Sequence, residues 1–439
     1  MDSLTRSRLS KLSTVIARIK TNLIKYFFFG NSITDDGYLR LAYMLGRFLI
    51  FLPLSLCATL VLGLYSLFRP VKIFMLRCDR SKISFIVEDL EVALRIEAHN
   101  TKISGAKPAL IYAVLDCDSP NRAFTAMYGR VLPFLDDDRP FARGILRYTL
   151  PILRIHRQYL RCWQSSDQMT IWAKSSPTLD FTDAEKQKGN ELQNHLLPDP
   201  EKPFVCIALP ERSYHNLKME KEHPVSKSTD LYSNFPSWET YFPCIKSLND
   251  AGLNVIRMGQ SVDNAIEPSS CKIVDYASTS RSEFGDIWLL GNCKFVIAGG
   301  GTGIYWPASA LNKPALRTDS YDLFNTTFGQ HDLNTPQLAW SRSEKRLMPF
   351  SWIIKAGHGW GLQKSLIHGD IEIIKNTAEE ITEVVLEMDQ RITGEWIETD
   401  EDIELQNRFR KLREVVPKWQ VQEGVRIGAA FLRRYQHLL

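Results

Sequence analysis

No Cys-x-x-Cys pair and no histidine at zinc-site spacing accompany the eight cysteines of this chain, Cys57, Cys78, Cys117, Cys162, Cys206, Cys244, Cys271 and Cys293. Scattered thiols of this kind belong to a reducing compartment rather than to a disulfide framework or a zinc module. Charge of one sign is also scarce. The 54 Lys and Arg against 50 Asp and Glu leave +4, too little and too dispersed for a nucleic-acid partner. Internal repeats and low-complexity tracts are absent, which excludes solenoid arrays and compositionally driven assembly. What remains is ordinary for a folded protein, with 44% hydrophobic and 24% charged residues over 439 positions, enough for two globular domains.

The N-terminal part departs from that pattern. "FLIFLPLSLCATLVLGLYSLF", residues 48–68, is 21 positions without a charge, long enough to span a bilayer. It begins too late for a secretory signal and no cleavage site follows. In "LTRSRLSKLSTVIARIKTNLIKYFFF" before it, Leu9, Leu12, Ile16, Ile19 and Leu23 share one helical face. Arg8, Lys11, Arg18 and Lys25 lie largely off that face. A basic amphipathic helix of this kind lies on anionic lipid. The competing reading is a buried core helix beside a solvated one. Arg40 and Arg47 precede the apolar run, Arg69, Lys72, Arg77 and Arg80 follow it, and Pro53 sits inside. These flanks suit a re-entrant segment as well as a full span. Residues 1–69 are therefore expected to associate with membrane lipid, with the globular part on the cytoplasmic face of the inner (plasma) membrane.

From residue 70 onward short apolar runs alternate with helical patterns, the signature of an α/β chain with parallel sheet. "VKIFML" (71–76) and "ALIYAVL" (109–115) read as strands and "NRAFTAMYGRVL" (121–132) as a helix. A polar, proline-containing stretch at 184–203 reads as an interdomain linker, which gives a first domain over 70–198. In the second, 199–395, "FVCIALP" (204–210), "LNVIRMG" (253–259), "CKIVDYA" (271–277) and "CKFVIAG" (293–299) read as strands. "SWETYFPCIKSLNDAG" (237–252) reads as a helix. Ser280 with Glu283 and Asn376 with Glu379 give the spacing that opens two more. The pattern is that of a doubly wound nucleotide-binding domain. A helical tail, 396–439, ends in one more amphipathic helix packed on the body.

Ligands of open parallel sheets bind beyond the carboxyl ends of the strands. Glu211, Arg212, Tyr214 and His215 follow the first strand of the second domain. Arg257 and Gly259 follow the next, and Asp275 and Tyr276 the third. Gly299, Gly300, Gly301, Thr302 and Gly303 follow "CKFVIA". Glycines there let backbone amides approach oxygens, and a helix entrance near Ile304 adds free donors. Arg212 and Arg257 offer planar charge-assisted contacts. The set suits a diphosphate held without a metal or organic cofactor; a tight strand–helix turn is the alternative for the glycines. A dinucleotide fingerprint fails on spacing, because the third glycine of Gly-x-Gly-x-x-Gly falls on Ile304 counted from Gly299 and on Trp306 counted from Gly301. Tyr305 and Trp306 read as packing groups.

"GLNVIRMG", "IVDYASTSRSEFGDIWLLGNCKFVIAGGGTG" and "NTAEEITEVVLEMDQRITGEW" resemble a bacterial glycosyltransferase family of surface-polysaccharide loci. The likeness runs from about residue 70 to the end. "RPVKIFMLRCDRSKISFI" stands in place of that family's strand and Arg-Ile-Gly-His segment, and "NRAFTAMYGR" in place of its Asn-led helix. The resemblance implies a GT-B-like arrangement of two facing Rossmann-type domains. It also implies a nucleotide-sugar donor on the second domain and a surface-glycan or lipid-linked acceptor. Lys82-Ile83-Ser84-Phe85 replaces the Arg-Ile-Gly-His segment and Ser233-Asn234 replaces an Arg-Asn pair, so neither functional set carries over. An inverting transfer needs a base for the acceptor hydroxyl. His215 is the candidate, with Asp116, Asp118 and the run Asp136-Asp137-Asp138 as alternatives. "ALIYAVLDCD" also supports a second reading, a GT-A-like enzyme binding a divalent cation and the donor through Asp-x-Asp. The third is a non-catalytic membrane-tethered nucleotide-sugar-binding or scaffold subunit.

Overall fold

A computed structural model describes residues 37–76, 83–115, 119–136, 138–149, 155–159, 166–214, 236–266, 270–300, 302–320, 329, 331–357, 369–413 and 426–439. The basic segment before residue 37 lies outside them, as do Lys82, Asp116, Asp118, Asp137, His215, Ser233, Asn234 and Gly301. The chain divides into two compact units, residues 1–90 with 100–160, and residues 91–99 with 161–439.

In the first unit α1 (Gly37–Tyr65) precedes a four-stranded parallel sheet of order β3-β2-β1-β4. Its strands are β1 (Val71–Leu76), β2 (Leu110–Leu115), β3 (Phe134–Leu135) and β4 (Ile155–Tyr159). The central β1 buries Val71, Ile73, Phe74, Met75 and Leu76, as a strand covered on both faces must. Helix α2 (Arg122–Val131) starts where the Asn121 side chain accepts the Phe124 amide at 2.9 Å. Helix α3 (Pro140–Arg147) starts on a proline.

The apolar run of residues 48–68 is no isolated segment. Along α1, Phe51, Ser55 and Thr59 form one buried seam at helical spacing, and Ser66 just past its end is buried too. The Ser55 hydroxyl donates to the Ile145 carbonyl at 2.7 Å. Gly144 lets the Phe51 ring close in, since a Cβ there would lie 2.5 Å from it. The opposite face, with Leu49, Leu60, Val61 and Leu64, is exposed, as is Phe68 beyond the helix. Phe48–Tyr65, at a mean hydropathy of 2.2 over 18 residues, is long and apolar enough to cross a membrane.

The second unit is built on a six-stranded parallel sheet of order β13-β9-β8-β7-β5-β6. Its strands are β5 (Phe204–Ala208), β6 (Asn254–Arg257), β7 (Val296–Gly299), β8 (Ala315–Ser320), β9 (Leu333–Pro336) and, after the antiparallel set β10 (Leu338–Ser341), β11 (Arg346–Leu347) and β12 (Ile371–Ile374), β13 (Arg426–Ile427). Its helices include α4 (Asp183–Leu196), α5 (Trp238–Asp250), α6 (Tyr276–Thr279), α7 (Glu283–Asn292), α8 (Tyr305–Ala310), α9 (Ala378–Thr393), α10 (Asp400–Arg413) and α11 (Ala429–Arg434). Val205, Ile207, Val255, Ile297, Leu316 and Leu333 of the sheet pack with Tyr241, Ile245 and Leu248 of α5 and with Ile381, Val385 and Met388 of α9.

Four local expectations need correction. Residues 184–203 are no linker. Thr182 and Glu185 form a capping box that opens α4, and Gly189 lets that helix close on the Trp288 ring. Residues 271–277 make a single bridge, Val274 to Ile256, and then turn into α6, because the Asp275 carboxylate takes the Ile266 amide at 3.0 Å and an arginine instead of continuing a ladder. The two caps shift: Ser282 caps α7, and Thr377 with Glu380 boxes α9. The tail ends in β13, α11 and a short 3-10 turn rather than in one helix.

Candidate functional site

Strand order sets the location. The first strand of the second unit, β5, has β6 on one side and β7, β8 and β9 on the other. The direction of winding reverses between β5 and β7, and a crevice opens beyond their carboxyl ends at such a point. Residues 209–214 after β5, and Gly300 with residues 302–304 after β7, stand there. The end of β8 is next to them, with Gly299 in register with Thr318.

The glycine loop is shaped by close approach. A Cβ on Gly299 would meet Leu209 Cδ2 at 2.5 Å and Tyr241 Oη at 2.7 Å. Gly300 has φ +52°, a left-handed conformation, and a Cβ there would lie 2.9 Å from Pro210. Its amide donates to the Thr318 carbonyl at 3.0 Å, and the Thr302 amide to the Gly299 carbonyl at 3.1 Å. The amides of Gly303 and Ile304 form no hydrogen bond among the described residues. The helix that follows, α8, has six residues and no side-chain cap at Ile304. Loop amides, more than a helix dipole, are what this turn offers an anion.

Arg257 occupies a different place from the one its sequence position suggests. It is 1% exposed. Its Nη2 donates to Glu211 at 2.6 Å, and its Nη1 to Asp275 at 2.9 Å and to the Asn264 carbonyl at 2.7 Å. The guanidinium lies 5.1 Å from the Trp238 ring centre, and the Trp238 indole N–H donates to Glu211 at 3.3 Å. Two carboxylates thus hold one buried cation, so Arg257 ties the ends of β5 and β6 together and is not presented to a ligand. Arg212 is exposed, and its amide and that of Ser213 donate to Asp263 at 3.2 and 2.6 Å. Gly259 backs the same region, where a Cβ would lie 2.9 Å from Val262. Tyr276 is fully buried in a separate cluster: its Oη accepts the Ser282 amide at 2.9 Å and lies 3.2 Å from Asp286. Burial pushes the Tyr276 phenol well above its ordinary range and the Asp286 carboxyl up to about 6, against the pull of Arg281.

Asp319 was not singled out from sequence. It is the penultimate residue of β8 and has a left-handed conformation, φ 50°, which is strained for a residue with a Cβ. It is 1% exposed. Its carboxylate accepts the Asn376 amide at 2.7 Å and the Tyr241 hydroxyl at 3.1 Å, and its own amide donates to Asn376 Oδ1 at 2.6 Å. Burial still raises its pKa. In the first unit, Asp136 Oδ1 accepts the Asp138 amide at 3.2 Å, and Asp138 lies 3.6 Å from Arg122 in an exposed pair. Among the described residues no three His, Cys, Asp or Glu side chains converge as metal ligands.

No known family's sequence model and no curated protein matches the chain. Among solved structures, the iron-containing dodecameric glycosyltransferase TibC from enterotoxigenic E. coli H10407 aligns over 60% of this chain and 61% of its own. Identity is 15% and the TM-score 0.30. A second TibC structure, described as a heptosyltransferase in complex with ADP-D-β-D-heptose, aligns over the same shares at 13% identity and a TM-score of 0.31. A glycosyl transferase family 9 protein from Veillonella parvula DSM 2008 aligns over 61% of this chain and 86% of its own, at 8% identity and a TM-score of 0.35. Likenesses this distant carry no statement about chemistry, which rests on the site itself.

The Arg257 network makes a stability prediction. Arg257→Met strands Glu211 and Asp275 as buried carboxylates and is expected to cost about 3–5 kcal/mol in urea denaturation. Arg212→Ala, at an exposed position, is expected to cost less than about 0.5 kcal/mol.

Proposed function

We propose that the chain is a glycosyltransferase whose second unit holds a nucleotide-sugar donor at the crevice between β5 and β7. The observation that carries this reading is the left-handed glycine loop at the reversal of strand order, with the amides of Gly303 and Ile304 free to meet phosphate oxygens. In this reading Gly299, Gly300, Gly301, Thr302 and Gly303 cradle the diphosphate and exposed Arg212 screens its charge. Arg257, Gly259, Asp275 and Tyr276 hold the surrounding backbone. The glycosyl carbon leaves the phosphate oxygen, which keeps the bonding electron pair, and bonds to an acceptor hydroxyl oxygen. His215, following the Glu211 segment, takes the hydroxyl proton. Donors fixed around the departing phosphate stabilise the charge as it develops. The first unit serves the acceptor, a growing surface glycan or a lipid-linked sugar.

The same proposal puts α1 in the plane of a membrane. Its seam is packed on the first unit, so threading the helix through about 30 Å of hydrocarbon would drag α3 and β1 in with it. Lying flat, it buries Leu49, Leu60, Val61, Leu64 and Phe68 in lipid and keeps the polar seam on protein. The basic segment of residues 6–25 then meets anionic headgroups, which favours the cytoplasmic leaflet of the plasma membrane.

Two measurements test these readings. Melting of the full chain is followed with ADP, GDP, UDP, CMP and their sugar conjugates, in EDTA and in Mn²⁺. A rise with one nucleotide in EDTA, amounting to about 2.7 kcal/mol at a hundredfold excess over Kd, is expected. A rise that requires Mn²⁺ transfers the site to Asp116 and Asp118, and no rise contradicts a donor site. For the membrane, Leu60→Glu with Leu64→Glu is expected to abolish flotation with vesicles of phosphatidylcholine and phosphatidylglycerol while leaving the circular dichroism unchanged. Flotation that persists overturns the lipid-facing assignment of α1.

A further inference from the structure

Arg317 stands in the middle of β8, in register with Ala298 of β7 and Asn334 of β9. It is 4% exposed, and none of its nitrogens hydrogen-bonds to a described residue, with Nη1 sealed from solvent. Asn334, 2% exposed, faces the same side of the sheet, and both ends of its amide are sealed and unpartnered. The Arg317 guanidinium lies 5.0 Å from the ring centre of Tyr305, the first residue of α8 and two positions beyond Gly303. One helical turn further, the buried Ser309 hydroxyl has no partner either. Polar groups of three side chains, on β8, β9 and α8, are thus buried and without hydrogen-bond partners.

Folding does not explain this arrangement. Each buried polar atom without a partner destabilises the native state, a charged one most, and native interiors contain few of them. Arg257 differs in degree, since both of its Nη atoms donate to carboxylates or a carbonyl and only Nε is sealed and unpartnered. Arg317 has only an aromatic face. A planar cation with its donors unused, beside an amide that offers two more, is matched by a phosphate oxyanion. Unmatched local chemistry of this kind is characteristic of functional positions.

We propose that Arg317, backed by Asn334, is a ligand-binding residue whose guanidinium takes a phosphate oxygen of the nucleoside diphosphate carried on the loop over residues 299–304. This rests on the reading of that loop as the donor site and names a cation other than Arg257, whose two Nη atoms are taken by protein oxygens. Its consequence is an inverse relation between stability and binding. Removing the charge relieves the empty protein and cripples the occupied one.

The test compares wild type, Arg317→Met and Arg317→Lys, each as the full chain, by melting temperature without ligand and by titration with ADP, GDP, UDP and inorganic pyrophosphate. Arg317→Met is expected to melt at or above wild type when empty and to bind the preferred nucleoside diphosphate roughly 10- to 100-fold more weakly. Arg317→Lys is expected to fall between the two and keeps the test decisive if the Met variant does not fold. An equal loss with pyrophosphate assigns the contact to the phosphates themselves. A variant that melts lower when empty yet binds with wild-type affinity overturns the proposal and makes Arg317 a packing residue. A wild type that binds neither nucleotides nor pyrophosphate overturns the donor reading of the loop, and this inference with it.

Discussion

One buried cation shared by two carboxylates organises the carboxyl edge of the larger sheet. Arg257 leaves the end of β6 and is gripped by Glu211, which follows β5, and by Asp275, which lies beyond a single bridge to β6. Both carboxylates are almost as buried as the arginine, so removing any member leaves uncompensated charge in a low-dielectric interior. This constraint fixes where the segment after β5 runs. Pro210 then stands against Gly300, and the left-handed turn after β7 follows from that contact.

Beyond this anchor the polar groups of the edge fall into two kinds. Those around Arg257, Asp319 and Tyr276 are engaged by protein partners, Arg257 Nε and Asp275 Oδ1 excepted: Asp319 and Asn376 exchange backbone and side-chain hydrogen bonds, and Tyr276 closes on Ser282. They build a rigid rim. Those around the glycine loop are not engaged. The amides of Gly303 and Ile304, the guanidinium of Arg317 and the amide of Asn334 all lack hydrogen-bonding partners among the described residues. A largely satisfied rim around an unsatisfied centre suits a binding site, because donors held in place before the ligand arrives need no reorganisation when it does.

Much of the scaffold was legible from apolar runs. "VKIFML", "FVCIALP" and "CKFVIAG" mark strands because a parallel strand covered on both faces must be apolar almost throughout. "ALRTDS" hid β8 for the opposite reason. All six residues are buried, yet four are polar, and what makes this tolerable for Asp319 is Asn376, 57 residues away. No local pattern encodes such a partner. Sequence separation also parts expectation from outcome at Arg257, whose place after a strand was plain but whose partner Glu211 lies 46 residues earlier. The caps moved for a related reason. Asn376 and Thr377 are both competent N-caps, and the choice falls to Thr377 because Asp319 takes Asn376. The glycine loop itself was readable, since only close approach or a positive φ calls for three consecutive glycines after a buried strand.

The central claim is that backbone amides after β7 receive phosphate oxygens. Amide hydrogen exchange across residues 298–306 of the full chain, with and without a saturating nucleoside diphosphate, reads those groups directly. The account predicts slowed exchange at Gly303 and Ile304 and unchanged exchange along β2. Unchanged exchange in the loop, or protection appearing instead over residues 110–118, would contradict it.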